Sequence, residues 1–278
     1  MAGFYWLVSY PKSGNTWLRL AMHCLQNGGD AVDFAVASRF APVAADRRAF
    51  DALLDVESSD LTPTEVASLR PRLLEAQARA TPEPLFRKVH DAWTLTPLGE
   101  PLFPPAVTLG ALYIVRDPRD VAVSYAHFYD LSLDAAIAKM ADHGNELAKG
   151  WTRLGIQLPQ KLLSWSGHVE SWLDAPGPVP LLLRYEDMLA DTEGALARVA
   201  AYVGWAADPG LLARTAAATR FGVLRGQEDR HGFRENFNAS RPFFRRGEAG
   251  GWRDTLSAEQ ARRVEREHGR VMALLGYL

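Results

Sequence analysis

Apolar and polar positions change period repeatedly along this chain, and each change marks an element. Residues 4–10 form an apolar, aromatic run ending at a Pro/Gly turn, and residues 15–27 continue with helical spacing to a Gly28-Gly29 stop. That order predicts strand, loop, helix. Thr62-Pro63-Thr64-Glu65 places a capping threonine, a first-turn proline and an N3 glutamate at the start of a helix reaching about residue 80, and residues 85–90 read as a short strand. Residues 107–115 are apolar enough to be buried on both faces, as central parallel strands are. Asp117, Pro118 and Asp120 then fit the N-cap, N1 and N3 positions of a helix running through His127. Residues 151–172 read as an amphipathic helix, 179–183 as a buried strand and 191–203 as the helix behind it. Asp208-Pro209 and Ser257-Ala258-Glu259-Gln260 open two more helices. Strands alternating with helices predict an α/β fold: one domain over residues 1–278, with a central parallel sheet flanked by helices.

Composition narrows the functional classes. The chain has 278 residues, 47% of them hydrophobic and 23% charged, which suits an ordinary globular domain. No run reaches the roughly 18–20 apolar residues of a membrane span, and residues 4–8 lack the basic flank and the length of a signal peptide, so a cytoplasmic address without membrane contact is expected. The single Cys24 excludes an intramolecular disulfide, and no Cys/His cluster has zinc spacing, so no metal is expected. A net charge of -2 argues against a protein that coats nucleic acid. Basic residues do gather at 241–253, which suits a local pocket for a small anion or, equally, a solvated face.

Two constellations carry chemistry. Ser9-Tyr10-Pro11-Lys12-Ser13-Gly14-Asn15-Thr16-Trp17 lies between the first strand and the first helix. Unpaired helix N-terminal amides, the close approach Gly14 permits, and donors on Lys12, Ser13, Asn15 and Thr16 together make a P-loop-like cradle for a phosphate. A Walker A loop has its lysine and hydroxyl after the second glycine, whereas Lys12 precedes Gly14 here. The second stretch, residues 113–125, puts the planar fork of Arg116 at a strand's end and Ser124 two helical turns on. Taken singly, the loop also reads as a polar turn, Arg116 as an ion-pair partner of Asp117 or Asp120, and Ser124 as a buried helical serine. Taken together, the two imply a ligand with two separated anionic groups, bound where open α/β sheets gather ligands.

These stretches resemble the cytosolic type of sulfotransferase, which uses 3′-phosphoadenosine 5′-phosphosulfate (PAPS) and releases PAP. Residues 10–17 look like that family's 5′-phosphosulfate loop, and Arg116 through Ser124 to Phe128 like its 3′-phosphate motif. Phe244-Arg245-Arg246-Gly247-Glu248-Ala249-Gly250-Gly251-Trp252-Arg253 is similar to its Arg-Lys-Gly, Gly, Trp signature, with arginines at 246 and 253 where lysines are usual and Gly251 in place of an acid. Phe86-Arg87-Lys88-Val89-His90-Asp91 resembles the strand ending in Lys-Thr-His. A lone histidine after an apolar run reads as structural; the resemblance makes His90 the catalytic base, with Lys12 at the leaving oxygen and Lys88 at the sulfuryl group. Thr219-Arg220-Phe221 and Tyr185-Glu186-Asp187 resemble segments beside the nucleotide, implying that Phe221 and Trp17 flank the adenine and Tyr185 lies near it, with core packing the alternative. Arg116, Ser124, Arg245, Arg246 and Gly247 are thereby implied to hold the 3′-phosphate.

What the resemblance implies is in-line sulfuryl transfer to a hydroxyl or amine of a small or medium-sized acceptor. A P-loop kinase and a nucleotide-binding scaffold without catalysis compete with it. The missing Gly-Lys-Ser/Thr ending weighs against the first, and Lys12 with His90 against the second. Acceptor choice in the family rests with variable loops, here residues 33–60 and 131–155, with 233–241 as a lid. Phe34, Phe40 and Phe50 in the first suit an apolar acceptor or simple packing. Ser257 and Ala258 replace the Thr-Val of the family's dimer motif, which leaves the oligomeric state open.

Overall fold

The structure is a computed structural model describing residues 2–149, 155–236 and 241–278, the side chain of Ser38 excepted. Strand β1 (Gly3–Ser9) leads through a tight loop into α1 (Asn15–Gln26); α2 (Phe34–Phe40), α3 (Arg47–Leu54) and α4 (Pro63–Arg79) then precede β2 (Pro84–Val89). Beyond β3 (Thr108–Val115) come α5 (Pro118–Tyr129), α6 (Leu133–Ala141) and a two-stranded ribbon of β4 (Glu146–Leu147) and β5 (Gln160–Lys161). Helix α7 (Trp165–Leu173), β6 (Leu181–Arg184), α8 (Tyr185–Ala190), α9 (Thr192–Val203), α10 (Pro209–Ala218), α11 (Phe221–His231) and α12 (Ala258–Leu274) complete the order.

The four longer strands form one parallel sheet in the order β2-β1-β3-β6. Both faces of it are covered, and the strand sequences show why. Phe4, Trp6 and Val8 alternate with Leu7, so β1 feeds two cores. Ala111, Tyr113 and Val115 join the first, under α5, α6, α7 and α12. Leu112 and Ile114 join the second, under α1, α8 and α9. Each such aliphatic side chain taken out of water contributes roughly 1.5–3 kcal/mol. The capping boxes at Thr62 and Ser257 and the Asp117 cap form as their spacing predicts.

Register sets the site. Val8 pairs with Val89 on one side and Tyr113 on the other, so the loop after β1, His90 and Arg116 all leave the sheet at its carboxyl edge. The chain moves from β1 to β2 on one side and then to β3 on the other, which makes that edge a topological switch point.

Three expectations are corrected. The strand predicted at 179–183 begins at Leu181, because Pro180 has no N–H for a ladder, and Val179 is 82% exposed. The long helix predicted over 151–172 reduces to α7. Gln160–Lys161 are in a strand, Ser164 caps the helix, and residues 151–154 lie outside the described residues. The segments 33–60 and 131–155, read as loops, carry α2, α3 and α6. Of the predicted lid, residues 237–240 lie outside the described residues.

Candidate active site

At the loop after β1, Lys12 has φ 74° and Gly14 φ 108°. The left-handed turn at Lys12 is strained for a side-chain-bearing residue and folds the chain back over the start of α1. Gly14 is the N-cap of α1 without a side-chain cap bond, so amides of the first turn stay directed at the loop. A Cβ on Gly14 would lie 2.7 Å from the Tyr185 ring, which bars a larger residue. The Ser13 hydroxyl is buried with no partner, Thr16 is buried, and Tyr10 accepts a bond from Asn145 at 2.9 Å. Asn15 turns its amide onto the Leu7 carbonyl at 2.8 Å, tying the loop to β1 and leaving its main-chain N–H to the helix terminus.

Lys12 lies 3.9 Å from the centre of the Phe128 ring and 4.6 Å from that of Phe243. Burial, then Lys88 and Arg116, lower its ammonium to about 7. On β2, Lys88 is lowered too, mainly by burial, and His90 is held well below its ordinary value by burial and Lys88.

The His90 ring is fixed by the main chain. Its Nδ1 is 2.8 Å from the Ser9 carbonyl, which can only accept, so Nδ1 carries the proton and Nε2 presents a lone pair. Behind it, Tyr113 gives its hydroxyl proton to Nδ1 of His168 at 2.7 Å, and His168 Nε2–H donates to the His90 carbonyl at 3.1 Å. Asp91 forms a buried two-pronged pair with Arg70 at 2.7 Å per arm. These partners come from β3, α7 and α4, and nothing in their local sequence marks them.

Across the sheet edge, Arg116 stacks 4.4 Å over the Tyr185 ring and donates to the Glu248 carbonyl at 2.8 Å; its Nε is buried without a partner. Asp120 lies 3.9 Å from it, but that carboxylate accepts from the Gly250 and Trp252 amides at 2.7 and 2.9 Å. Asp120 is thus the clasp that holds the glycine-rich 247–252 turn over α5, a role its N3 position did not reveal. Gly247 has φ 65°, and a Cβ there would fall 2.0 Å from the Phe221 ring. Arg245 is lowered by burial, Arg246 and Arg116, so the three guanidinium groups lie near one another. Ser124 is half-buried on α5. Trp17 donates to the Thr219 carbonyl at 3.0 Å and packs edge-on to Tyr185 at 5.6 Å. Glu228, also missed from sequence, accepts from the Phe243 and Phe244 amides at 2.6 and 2.9 Å and so shapes the approach to Arg245.

The Lys12 loop, His90 and Arg116 therefore leave the sheet along one edge, and Tyr185 touches both Arg116 and Gly14 of the loop. The partnerless Ser13 hydroxyl and Arg116 Nε, the uncapped α1 terminus and the grouping of Arg116, Arg245 and Arg246 fit a ligand anionic at both ends.

A parallel α/β sheet that gathers Lys12, Lys88 and His90 with Arg116 at its switch point suits an enzyme that transfers a group from a nucleotide. The sulfotransferase domain family model matches residues 4–276, and the chain belongs to that family, whose sulfuryl donor is PAPS. It is similar to sulfotransferase 1A1 of Canis lupus familiaris, at 24% identity over 96% of this chain and 82% of the relative. Cytosolic sulfotransferase 16 of Arabidopsis thaliana is 26% identical over 93% and 73%. A solved structure of retinol dehydratase with androsterone and the inactive cofactor PAP matches the fold with a TM-score of 0.61 at 21% identity, over 97% of this chain and 80% of that one. Among the described residues, no helix is long and apolar enough to cross a membrane.

Proposed function

We propose that the chain moves a sulfuryl group from PAPS to a hydroxyl or amine of a small or medium-sized acceptor, in line and with His90 as general base. When bound, PAPS supplies the sulfuryl group and a phosphate leaving group. Lys12, Ser13, Thr16 and the main-chain N–H groups of Gly14 and Asn15 hold its 5′ end. Arg116, Ser124, Arg245, Arg246 and Gly247 hold its 3′-phosphate, while Trp17, Tyr185 and Phe221 enclose the base. His90 Nε2 takes the acceptor's proton as its oxygen attacks. The Lys12 ammonium stabilises the charge gathering on the departing oxygen, and Lys88 faces the sulfuryl oxygens. An acceptor of the kind named for the retinol dehydratase neighbour, androsterone, suits the phenylalanines near Lys12. We further assign residues 1–278 to this one domain and the protein to the cytoplasm, as the cytosolic relative suggests.

The observation that carries this reading is Tyr185, whose ring lies under Arg116 and also packs against Gly14 and Trp17, linking the residues read for the 3′-phosphate with those read for the 5′ end. Titration of PAP, ATP and AMP tests it. PAP is expected to bind at least tenfold more tightly than AMP, about 1.4 kcal/mol for the 3′-phosphate contacts, and labelled sulfate should pass from PAPS to an acceptor in a mixed panel. Equal affinity for ATP and PAP, with no transfer, would return the kinase reading.

A further inference from the structure

Lys88 is not alone in the sulfuryl end of the site. Glu235, four residues beyond the end of α11, lies 3.5 Å from its ammonium and is ion-paired through the other oxygen to Arg19 of α1, whose side chain is 3% exposed. We propose that Glu235 is a positioning residue for sulfuryl transfer: bridged between Arg19 and Lys88, it keeps the Lys88 ammonium charged and aimed at the place where the sulfuryl oxygens sit. The inference rests on the reading of Lys88 given above.

The electrostatic case is one-sided. Lys88 is surrounded by cations or groups that become cations: Arg19 from α1, Lys12 from the first loop, and His90 two residues on, itself backed by His168 of α7. Burial and Arg19 favour loss of its proton, and Glu235 is the carboxylate that opposes them. Glu235 is in turn lowered from its ordinary value by Lys88 and Arg19 in spite of burial, which favours the ionised carboxylate. A neutral Lys88 would keep its shape and lose its use, since only the ammonium can offset charge on the transferring group. Arg19 thus anchors the carboxylate: one of its guanidinium nitrogens pairs with Glu235, and its place on α1 limits where Glu235 can reach.

The test is the pH dependence of amine labelling, read lysine by lysine with acetic anhydride and mass spectrometry on the free protein. In Glu235→Gln the half-labelling pH of Lys88 should fall by about one unit or more, the size expected on losing an opposite charge at this range. Glu235→Asp, which keeps the charge on a shorter arm, should lower the midpoint too, but less than Glu235→Gln does. Exposed Lys139 should not move in either of them. In turnover assays Glu235→Gln should lose kcat progressively as pH rises while PAP affinity is kept. An unmoved Lys88, or a shift shared with Lys139, overturns the proposal. Should Glu235→Gln not fold, a Lys88 midpoint unmoved in Glu235→Asp does the same. Labelling needs no donor, so its failure strikes Glu235 alone, whereas absence of sulfuryl transfer in the parent chain strikes the function.

Discussion

The two ends of the site use different cations. The end next to β2 has Lys12, Lys88 and His90, all with proton affinities lowered chiefly by burial and then by nearby cations. Beyond β3 stand Arg116, Arg245 and Arg246, whose guanidinium groups keep their charge in any protein environment. Chemistry and grip ask for these different groups. Burial keeps the His90 imidazole neutral, as a base must be, but it also draws the proton off a buried ammonium, so the lysines hold their charge against desolvation. A phosphate clamp needs fixed charge and planar forks, and can lie nearer to water.

This contrast can be broken most severely at the histidine. His90→Ala should lower kcat roughly 100- to 10,000-fold with a hydroxyl acceptor, while PAP binding by calorimetry stays at the parent value. A variant that turns over normally would move the base elsewhere. Arg116→Ala should do the reverse, weakening PAP roughly 10- to 100-fold through loss of charged hydrogen bonds and raising the donor KM with kcat less affected. Unchanged PAP affinity would separate the arginine cluster from the donor. The third contrast is in pH. Since kcat/KM reports the free enzyme and Lys12 titrates at about 7, kcat/KM should fall above neutrality, roughly tenfold per unit. Lys12→Arg, which cannot lose its charge, should flatten that limb whatever its effect on the maximum.

The same contrast explains what could be read from the chain alone. The first loop and Arg116 were legible because their chemistry sits at element boundaries, where strand period, proline and cap residues mark the position locally. Asp120, Glu228, His168 and Glu235 were not, because each acts on a main-chain group or side chain far away in sequence. Asp120 reaches the Gly250 amide, and His168 the carbonyl of His90. A carboxylate at N3 and a histidine inside an amphipathic helix look ordinary until β1 and β3 bring their partners to one edge. Fold errors were of the same kind. Pro180 and the Ser164 cap shortened elements whose apolar content alone suggested longer ones.

The smallest effect concerns stability and leaves neutral-pH turnover untouched. His90 is held well below its ordinary value, His168 at about 3 and His268 at about 4, each chiefly by burial. The unfolded chain titrates its histidines near 6.5, so below that pH it binds protons that the folded protein refuses. Stability contributed by these groups is complete above about 6.5 and is lost as pH falls, by at most about 1.4 kcal/mol per unit for each group. Glu235, whose carboxyl is lowered, begins to lose its contribution only below the carboxylate range, and Glu186, raised by burial, acts in the opposite direction. Loss between pH 6.5 and 5 therefore belongs to the histidines. Denaturant titrations at constant ionic strength should show the unfolding midpoint falling through that window, and a flat response there would mean that the buried imidazoles accept protons in the folded state.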